Sequence, residues 1–208
     1  MFHDEQALVN PSWLELRGDL LLAGLEHHLE HGSLATFRLD RSTGAIKESI
    51  SRVDSGGIAP GYACFANDGR TGLIANYLPD PAIVTSYSVD RGGRITNKPL
   101  TSVVEFAGAS HARLDRREGA HGHFVIPHPK HSNLILVADL GADVIKTFIL
   151  DSNGTISHAA DCATAPGAGP RQLACHPTGE CECSAVRLET VSPELMPCER
   201  RESRLRTL

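Results

Sequence analysis

The feature that most constrains this chain is an internal repeat built from two alternating hairpin patterns. The first pattern is an alternating apolar run that ends in Asp and is followed by a short turn and Gly-x-Ile. It occurs at residues 37–46, 87–95 and 148–156. Asp favours a turn because its carboxylate accepts bonds from nearby backbone N–H groups, and Gly readily adopts the positive φ of tight turns. Each copy therefore predicts a strand, a tight turn and a returning strand.

A second hairpin pattern alternates with the first and consists of short apolar runs on either side of a turn. The four turns lie near Gly18, Gly69, His131 and Gly179. Residues 67–69 (Asn-Asp-Gly) and 177–179 (Pro-Thr-Gly) are clear turn signals. Apolar runs on both sides of each turn are typical of strands that are buried on both faces.

Aligning these four turns gives a common register for the strands that precede them. The register places one residue of each copy at an equivalent position: Asn10, Gly61, His123 and Arg171, separated by 51, 62 and 48 residues. The longer middle interval contains an insertion around residues 106–119. One period of roughly 50 residues thus holds two hairpins, or four strands, which is the unit of a β-propeller blade.

The sequence predicts an all-β propeller with about three and a half four-stranded blades of a larger ring. A β-sandwich is the alternative, but periodic pairs of hairpins suit stacked blades better than a Greek key. Propellers close with about 4 to 8 blades. An incomplete ring would expose the apolar faces of its end blades, so self-association is expected if the ring is incomplete.

Composition and charge exclude several classes of partner. The net charge is −5 over 208 residues and there is no basic stripe, which argues against a nucleic-acid partner. No apolar run reaches the roughly 18 residues of a membrane span, so no membrane partner is expected. The first residues do not form a basic segment followed by an apolar one, so no signal peptide is predicted. A cytoplasmic location is therefore expected, with all six cysteines reduced.

Four short segments resemble motifs of one protein family, the seven-bladed lactonase propellers. Residues 139–143 (Asp-Leu-Gly-Ala-Asp) and 166–171 (Pro-Gly-Ala-Gly-Pro-Arg) are the most specific, and residues 10–14 and 121–129 agree with them. The family includes 6-phosphogluconolactonases and carboxymuconate-cyclising enzymes, both of which handle a small anionic lactone. The resemblance covers about residues 8–180 and corresponds to the N-terminal half of the family's propeller.

The sequence departs from the family pattern near its end. Gln172 follows Arg171, where the family usually has His, and the hairpin pattern stops after Gly179. We therefore predict a partial lactonase-type propeller over residues 8–180. Residues 181–208 are predicted to be a divergent tail, either disordered or the product of a wrongly predicted reading frame. These departures indicate a truncated chain whose activity is uncertain.

The common register predicts the candidate site. The innermost strands of a propeller surround its central channel, so equivalent strand starts converge at one opening. Arg171 would clamp an anionic group or stabilise a developing oxyanion, and His123 would act as general base. His121 lies on the same strand face and would share or replace that role. Glu26, at the end of the first blade's second strand, is a further candidate for binding substrate.

Other clusters of potential ligands are interpreted as structural. Asp139 and Asp143 are expected to fix the turn between hairpins rather than to take part in catalysis. The histidines at residues 27, 28 and 31 and the cysteines at residues 175, 181 and 183 lack a diagnostic metal-binding pattern. No cofactor and no metal are therefore predicted.

The predicted function is hydrolysis of a sugar-acid lactone, with 6-phosphogluconolactone as the expected substrate. Two alternatives remain open at this point. One is cyclisation of carboxy-cis,cis-muconate, which also needs an anion clamp and an acid or base. The other is a non-catalytic propeller fragment that acts as an interaction module.

Overall fold

The computed structural model of the chain consists of antiparallel β-sheets. It describes residues 9–78, 84–96, 99 and 119–175, and the backbone of residues 183–186. The described residues contain no helix that is long and apolar enough to cross a membrane. The strands, in chain order, are β1 (Pro11–Arg17), β2 (Leu20–Leu25), β3 (His31–Leu39), β4 (Ile46–Phe65), β5 (Thr71–Leu78), β6 (Val84–Ser88), β7 (Gly122–Pro127), β8 (Leu134–Asp139), β9 (Val144–Leu150), β10 (Ile156–Ala163), β11 (Gln172–Cys175) and β12 (Cys183–Val186).

The long strand β4 joins the first two blades. Strands β1 to β6 form one sheet in chain order, in which the first part of β4 pairs with β3 and the second part pairs with β5. The change of partner occurs at Ile58, which faces His31 on one side and Leu78 on the other. Just before it, Gly56 has φ +78°, and Ala59 just after it has φ +53°. The first part of β4 is thus the outermost strand of blade 1, and the second part is the innermost strand of blade 2.

The third blade and the start of a fourth complete the described architecture. Strands β7 to β10 form a four-stranded antiparallel sheet in chain order, and β11 pairs with β12. Blade 2 is extended beyond β6 by a bridge between Val89 and Ile95. The predicted all-β partial propeller, with about three and a half blades, is confirmed.

The three outer turns form as their Asp and Gly residues predict. Each turn begins with an Asp whose carboxylate accepts a local hydrogen bond: Ser42 N to Asp40 Oδ1 (2.8 Å), Gly92 N to Asp90 Oδ1 (2.8 Å) and Thr155 Oγ1 to Asp151 Oδ2 (3.1 Å). The turn glycines have positive φ, at +72° for Gly44, +88° for Gly93 and +83° for Gly154. This local chemistry fixes the register of each outer hairpin.

The hydrophobic core lies between successive blades. Blades 1 and 2 bury one cluster, formed by Leu22, Leu34, Val53, Ala63, Phe65, Ile74, Tyr87, Val89 and Ile95. Blades 2 and 3 bury a second, formed by Cys64, Ala66, Leu73, Ala75, Val84, Ala120, Val125, Ile135, Val137, Phe148, Leu150 and Ile156. Each blade therefore contributes apolar side chains from both faces of its sheet, which explains the uninterrupted apolar runs of the inner hairpins.

The innermost strands share a β-bulge, and the bulge corrects the predicted register. The pairing shifts between Pro11 and Trp13, between Pro60 and Tyr62, and between Gly122 and Phe124. The bulged residues are Ser12, Gly61 and His123, so Ser12 rather than Asn10 is equivalent to His123. The alignment on turn glycines was wrong for the first blade because its turn is only residues 18–19, whereas the second blade's turn is residues 66–70.

The cysteines differ in part from the expectation that all remain reduced. Cys64 and Cys162 are free thiols, but Cys175 is in a disulfide, so the expectation is wrong for this residue. Cys183 lies opposite Cys175 in the pairing of β11 with β12. Strand β12 begins just beyond the predicted domain boundary at residue 180, and the boundary itself stays a prediction. Residues 187–208, most of the predicted tail, lie outside the described residues, as does nearly all of the predicted insertion.

We expect Phe148→Ala to destabilise the fold strongly, because Phe148 is fully buried between blades 2 and 3. Loss of a buried Phe leaves a cavity and costs about 3–5 kcal/mol. Urea unfolding would measure the free energy of unfolding. Leu16→Ala is the control, since Leu16 is 50% exposed and its truncation should change stability little. Equal effects of the two substitutions would contradict burial of Phe148 between stacked blades.

Candidate active site

His123 is the bulged residue of β7 and lies where two innermost strands approach each other closely. A Cβ placed on Gly61 would be 3.3 Å from the carbonyl oxygen of His123, so the equivalent positions of blades 2 and 3 are adjacent. A bulge removes one residue from the regular alternation and redirects its side chain, and bulges are common beside active sites. The bulge therefore directs the half-buried His123 side chain differently from a regular strand residue.

His121 precedes β7 and has a defined tautomer. Its Nδ1 lies 2.8 Å from the carbonyl oxygen of Tyr77. A carbonyl oxygen only accepts, so Nδ1 carries a proton, and in the neutral tautomer the lone pair lies on Nε2. His121 is only 3% exposed, and its buried Nε2 has no hydrogen-bond partner among the described residues. Nε2 of His121 is therefore a potential proton acceptor that the described part of the fold does not hydrogen-bond.

Tyr77, at the end of β5, joins the two histidines and was missed in the sequence. Its ring stacks on His121 with centroids 4.6 Å apart and an interplanar angle of 13°. It also meets His123 edge-on, at 5.8 Å and 85°. Tyr77 is the counterpart of Glu26, because the residue before each pairs with the residue just before the bulge: Asn76 with Pro60, and Leu25 with Pro11. A correct alignment of the two inner hairpins would have identified Tyr77 as a candidate beside Glu26.

Asp139, at the end of β8, fixes the backbone of His121. Its Oδ1 accepts hydrogen bonds from the backbone N–H of His121 (2.9 Å) and of Ala142 (3.1 Å). Burial raises the pKa of Asp139, and the two hydrogen bonds only partly oppose this effect. The other oxygen, Oδ2, is buried and has no partner among the described residues. Asp139 is therefore a buried carboxyl group that holds the start of β7.

The turn after Asp139 packs tightly against the same histidine. A Cβ on Gly141 would lie 2.7 Å from Cδ2 of His121 and 2.1 Å from the carbonyl oxygen of Gly119. Leu140 also donates a backbone hydrogen bond of 2.9 Å to the carbonyl of His121. Only Gly fits at residue 141 without moving the chain that leads into β7.

Asp143, at the end of this turn, holds the next blade's loop. Its Oδ2 accepts a hydrogen bond from Gly167 N (2.6 Å) and its Oδ1 accepts one from Gly169 N (2.8 Å). Its carbonyl oxygen accepts from the N–H of Thr164 at 2.9 Å. The hydrogen bond from Ala142 N to Asp139 confirms that Asp139 fixes the turn, whereas the expectation that neither aspartate takes part in catalysis stays a prediction. The contacts extend further than predicted, because each carboxylate holds a segment that leads into an innermost strand.

Arg171 immediately precedes β11. Leu173 of β11 belongs to the same apolar cluster as Phe124 of β7, so the two innermost strands lie side by side. Asp139 anchors His121 and Asp143 anchors the loop before Arg171, so the segments that lead into both strands are held by the same turn. The half-buried guanidinium group forms no ion pair with a carboxylate of the described part, and its buried Nε has no partner there.

Glu26 stays within its own loop in this structure. Its backbone pairs with Asn10, and its Oε1 lies 3.4 Å from Nδ1 of His28. The neighbouring His27 accepts hydrogen bonds from the backbone of Leu29 and Glu30. The structure links His121 and His123 through Tyr77 and places β11, which follows Arg171, beside β7. The site roles of His121, His123, Arg171 and Glu26 stay predictions. Among the described residues, no group of three or more His, Cys, Asp or Glu residues could hold a metal ion.

Stacked four-stranded blades, with polar side chains at the starts of their innermost strands, define a β-propeller with a candidate site at one opening. A family model described as lactonase, 7-bladed beta-propeller, matches residues 3–182 of the chain. The chain belongs to this family.

Known proteins agree with this membership. The chain is 26% identical over 171 residues to the 6-phosphogluconolactonase of Bacillus subtilis strain 168, covering 82% of this chain and 46% of that protein. Its fold resembles the periplasmic gluconolactonase of Pseudomonas aeruginosa, with a TM-score of 0.74, 24% identity and coverage of 91% and 56%. A candidate 6-phosphogluconolactonase of Bacteroides fragilis gives a TM-score of 0.74 at 20% identity, with coverage of 92% and 56%. The chain spans about half the length of these relatives.

We expect Asp139→Asn to change how stability depends on pH. Because the folded pKa of Asp139 is raised above 3.8, the stability contributed by its protonated form is present below pH 3.8 and is lost as pH rises through the folded pKa. An Asn carbonyl can accept the same two hydrogen bonds and does not ionise. The variant should therefore gain stability relative to the wild type as the pH rises above about 4, and the gain should level off once the pH exceeds the folded pKa of Asp139. Urea unfolding at several pH values would measure the free energy of unfolding of both proteins. A difference between wild type and variant that does not change with pH would contradict this prediction.

We expect Gly141→Ala to displace His121 and to cost on the order of 1–3 kcal/mol, as overpacking does. The physical reason is the close approach of the new Cβ to Gly119 and His121. Gly24→Ala is the matched control, because its Cβ would meet nothing closer than 3.5 Å. Chemical denaturation would measure both variants, and an unchanged midpoint for Gly141→Ala would refute the close packing of this turn.

Proposed function

We propose that this protein is a lactonase that hydrolyses a sugar-acid lactone, with 6-phosphogluconolactone as its substrate. The observation that carries the proposal is that one turn, residues 139–143, holds the segments presenting two histidines and an arginine at one end of adjacent innermost strands. The name of the Bacillus subtilis relative supports the choice of substrate class. Because the chain spans about half of that relative, the activity is tested directly on this chain.

Arg171 is proposed to bind the anionic part of the substrate. A guanidinium group offers two parallel N–H donors to a phosphate or carboxylate, and such bonds are stronger than neutral ones. Arg171 forms no ion pair with a described carboxylate, so its charge is not neutralised within the described fold. The same group can alternatively stabilise the negative charge that develops on the lactone carbonyl oxygen.

His123 is proposed to be the general base. Water attacks the carbonyl carbon while the imidazole takes its proton, and the ring C–O bond then breaks. The proton returns from the imidazolium to the departing ring oxygen, which leaves a carboxylic acid and a hydroxyl group. His121 offers a second acceptor at Nε2, whose direction is fixed by the hydrogen bond from Nδ1 to Tyr77. His121 would then accept a hydrogen bond from the substrate or replace His123 as base.

We expect the purified chain to hydrolyse 6-phosphogluconolactone, and His123→Gln to reduce kcat by about 10²–10⁴-fold, the usual contribution of a general base. His121→Asn retains a donor for the carbonyl of Tyr77 but removes Nε2, so it separates catalysis from folding. Initial rates in a coupled dehydrogenase assay, corrected for spontaneous hydrolysis, provide the measurement. His158→Gln is the control, because His158 lies on β10 and is 44% exposed.

The outcome assigns the base and tests the substrate. A larger loss in His121→Asn than in His123→Gln would move the role of base to His121, and full turnover in both variants would reject the site. Arg171→Lys keeps the charge but loses the planar pair of donors, so it should mainly raise KM. Gluconolactone without phosphate and a carboxymuconolactone are the competing substrates. Faster turnover of either would replace the proposed substrate, and no turnover of any lactone would reject the proposal.

A further inference from the structure

We propose that Asp143 is a positioning residue for substrate binding, and that it acts by fixing the position of Arg171 immediately before β11. This inference rests on the proposed function, since it assigns the anion-binding role to Arg171. The sequence alone predicts only that Asp143 fixes the turn between two hairpins.

Asp143 accepts hydrogen bonds from several residues of the loop that precedes Arg171. Each carboxylate oxygen accepts one backbone N–H of the loop before Arg171, from Gly167 at 2.6 Å and from Gly169 at 2.8 Å. The carbonyl oxygen of Asp143 accepts from both N and Oγ1 of Thr164, at 2.9 and 2.8 Å. One residue of blade 3 thus holds three points of this loop, which also contains a short turn closed by the hydrogen bond from Ala168 N to Ala165 O.

Gly169, which Asp143 holds, lies only two residues before Arg171 in the chain. Only Pro170 separates Gly169 from Arg171, and Pro170 is buried. The pyrrolidine ring fixes φ near −65°, so the link has little freedom to absorb a shift of the anchor. A displacement of Gly169 is therefore passed on to the Cα of Arg171. A displacement of about 1 Å can cost about 10²-fold in rate when it moves a group that binds substrate.

The two aspartates of the turn differ in which of their carboxylate oxygens accept hydrogen bonds. Asp139 accepts both of its hydrogen bonds through Oδ1 alone, so an amide can replace it. Asp143 uses both oxygens, so an Asn at this position would direct an NH₂ group at one of the two glycine N–H groups. Asp143 has φ +56°, a conformation that Asn also tolerates. Asp143→Asn therefore tests the loss of hydrogen bonds without adding backbone strain.

The test is a double-mutant cycle that combines Asp143→Asn with Arg171→Gln in the full chain. Isothermal titration calorimetry would measure the Kd of 6-phosphogluconate, the product of the proposed reaction. Asp143→Asn should weaken binding about tenfold or more in the wild-type background, in line with the strength of charge-assisted hydrogen bonds. It should have no further effect in the Arg171→Gln background, because the group that it positions is then absent.

Two additional variants separate positioning from general destabilisation. Asp151→Asn is the matched control, since Asp151 also begins a turn of blade 3 but its hydrogen bonds in the described part of the chain stay within its own hairpin. It should leave the Kd unchanged. Thr164→Val removes one hydroxyl donor to Asp143 and is the milder variant if Asp143→Asn fails to fold. It should give a smaller loss of affinity that likewise disappears with Arg171→Gln. Hydrogen exchange at Gly167 and Gly169 should become faster in Asp143→Asn.

The outcomes distinguish this inference from the proposed function. If the wild-type chain does not bind 6-phosphogluconate, the proposed function fails and the inference fails with it. If the wild type binds but the Asp143→Asn and Arg171→Gln effects add, the inference alone is overturned, because Asp143 then does not act through Arg171. Unchanged affinity in Asp143→Asn, with faster exchange in the loop, would also overturn it.

Discussion

Apolar burial between successive sheets is the constraint on which the rest of this structure depends. A single four-stranded blade with apolar side chains on both faces cannot shield them, so each blade must pack against a neighbour. The clusters between blades 1 and 2 and between blades 2 and 3 show this directly. At about 25 cal/mol per Å² of apolar surface removed from water, burial of this kind outweighs any single polar contact described here. Stacking then determines where the polar groups can lie.

Stacking also explains why the candidate site occurs at the starts of the innermost strands. Along these strands, side chains facing the neighbouring blades are needed for the core, and the strand starts are the places where polar residues can be accommodated. The repeated bulge at Ser12, Gly61 and His123 interrupts the alternation at that point. The fold thus provides the same geometric position in each blade, and the residue type at that position decides what the blade contributes. A Gly at residue 61 allows close approach of β7, while His123 supplies a chemical group.

The sequence contained most of the fold but only part of the site. The Asp and Gly residues of the outer turns act over a few residues, so their hairpins were predictable from local chemistry. The register of the first inner hairpin was not, because Gly18 and Gly69 occupy turns of different length and only the pairing shows this. Tyr77 was missed because its contacts with His121 and His123 join residues more than 40 positions apart. The disulfide of Cys175 was missed because the expected cytoplasmic location favours reduced cysteines and says nothing about which strands pair.

The two aspartates of the turn at residues 139–143 connect the chemistry of one blade with that of the next. Both are buried, and a buried carboxylate is costly unless hydrogen bonds compensate it. Among the described residues, only one carboxylate oxygen of Asp139 accepts hydrogen bonds, which is consistent with its raised pKa. Both carboxylate oxygens of Asp143 accept one. Since neither carboxylate has a cationic partner within 4 Å among the described residues, backbone N–H groups carry this compensation. Backbone donors belong to particular segments of chain, so satisfying the carboxylates also fixes those segments. The need to compensate two buried carboxylates therefore fixes the segments that contain His121 and precede Arg171, just before β7 and β11.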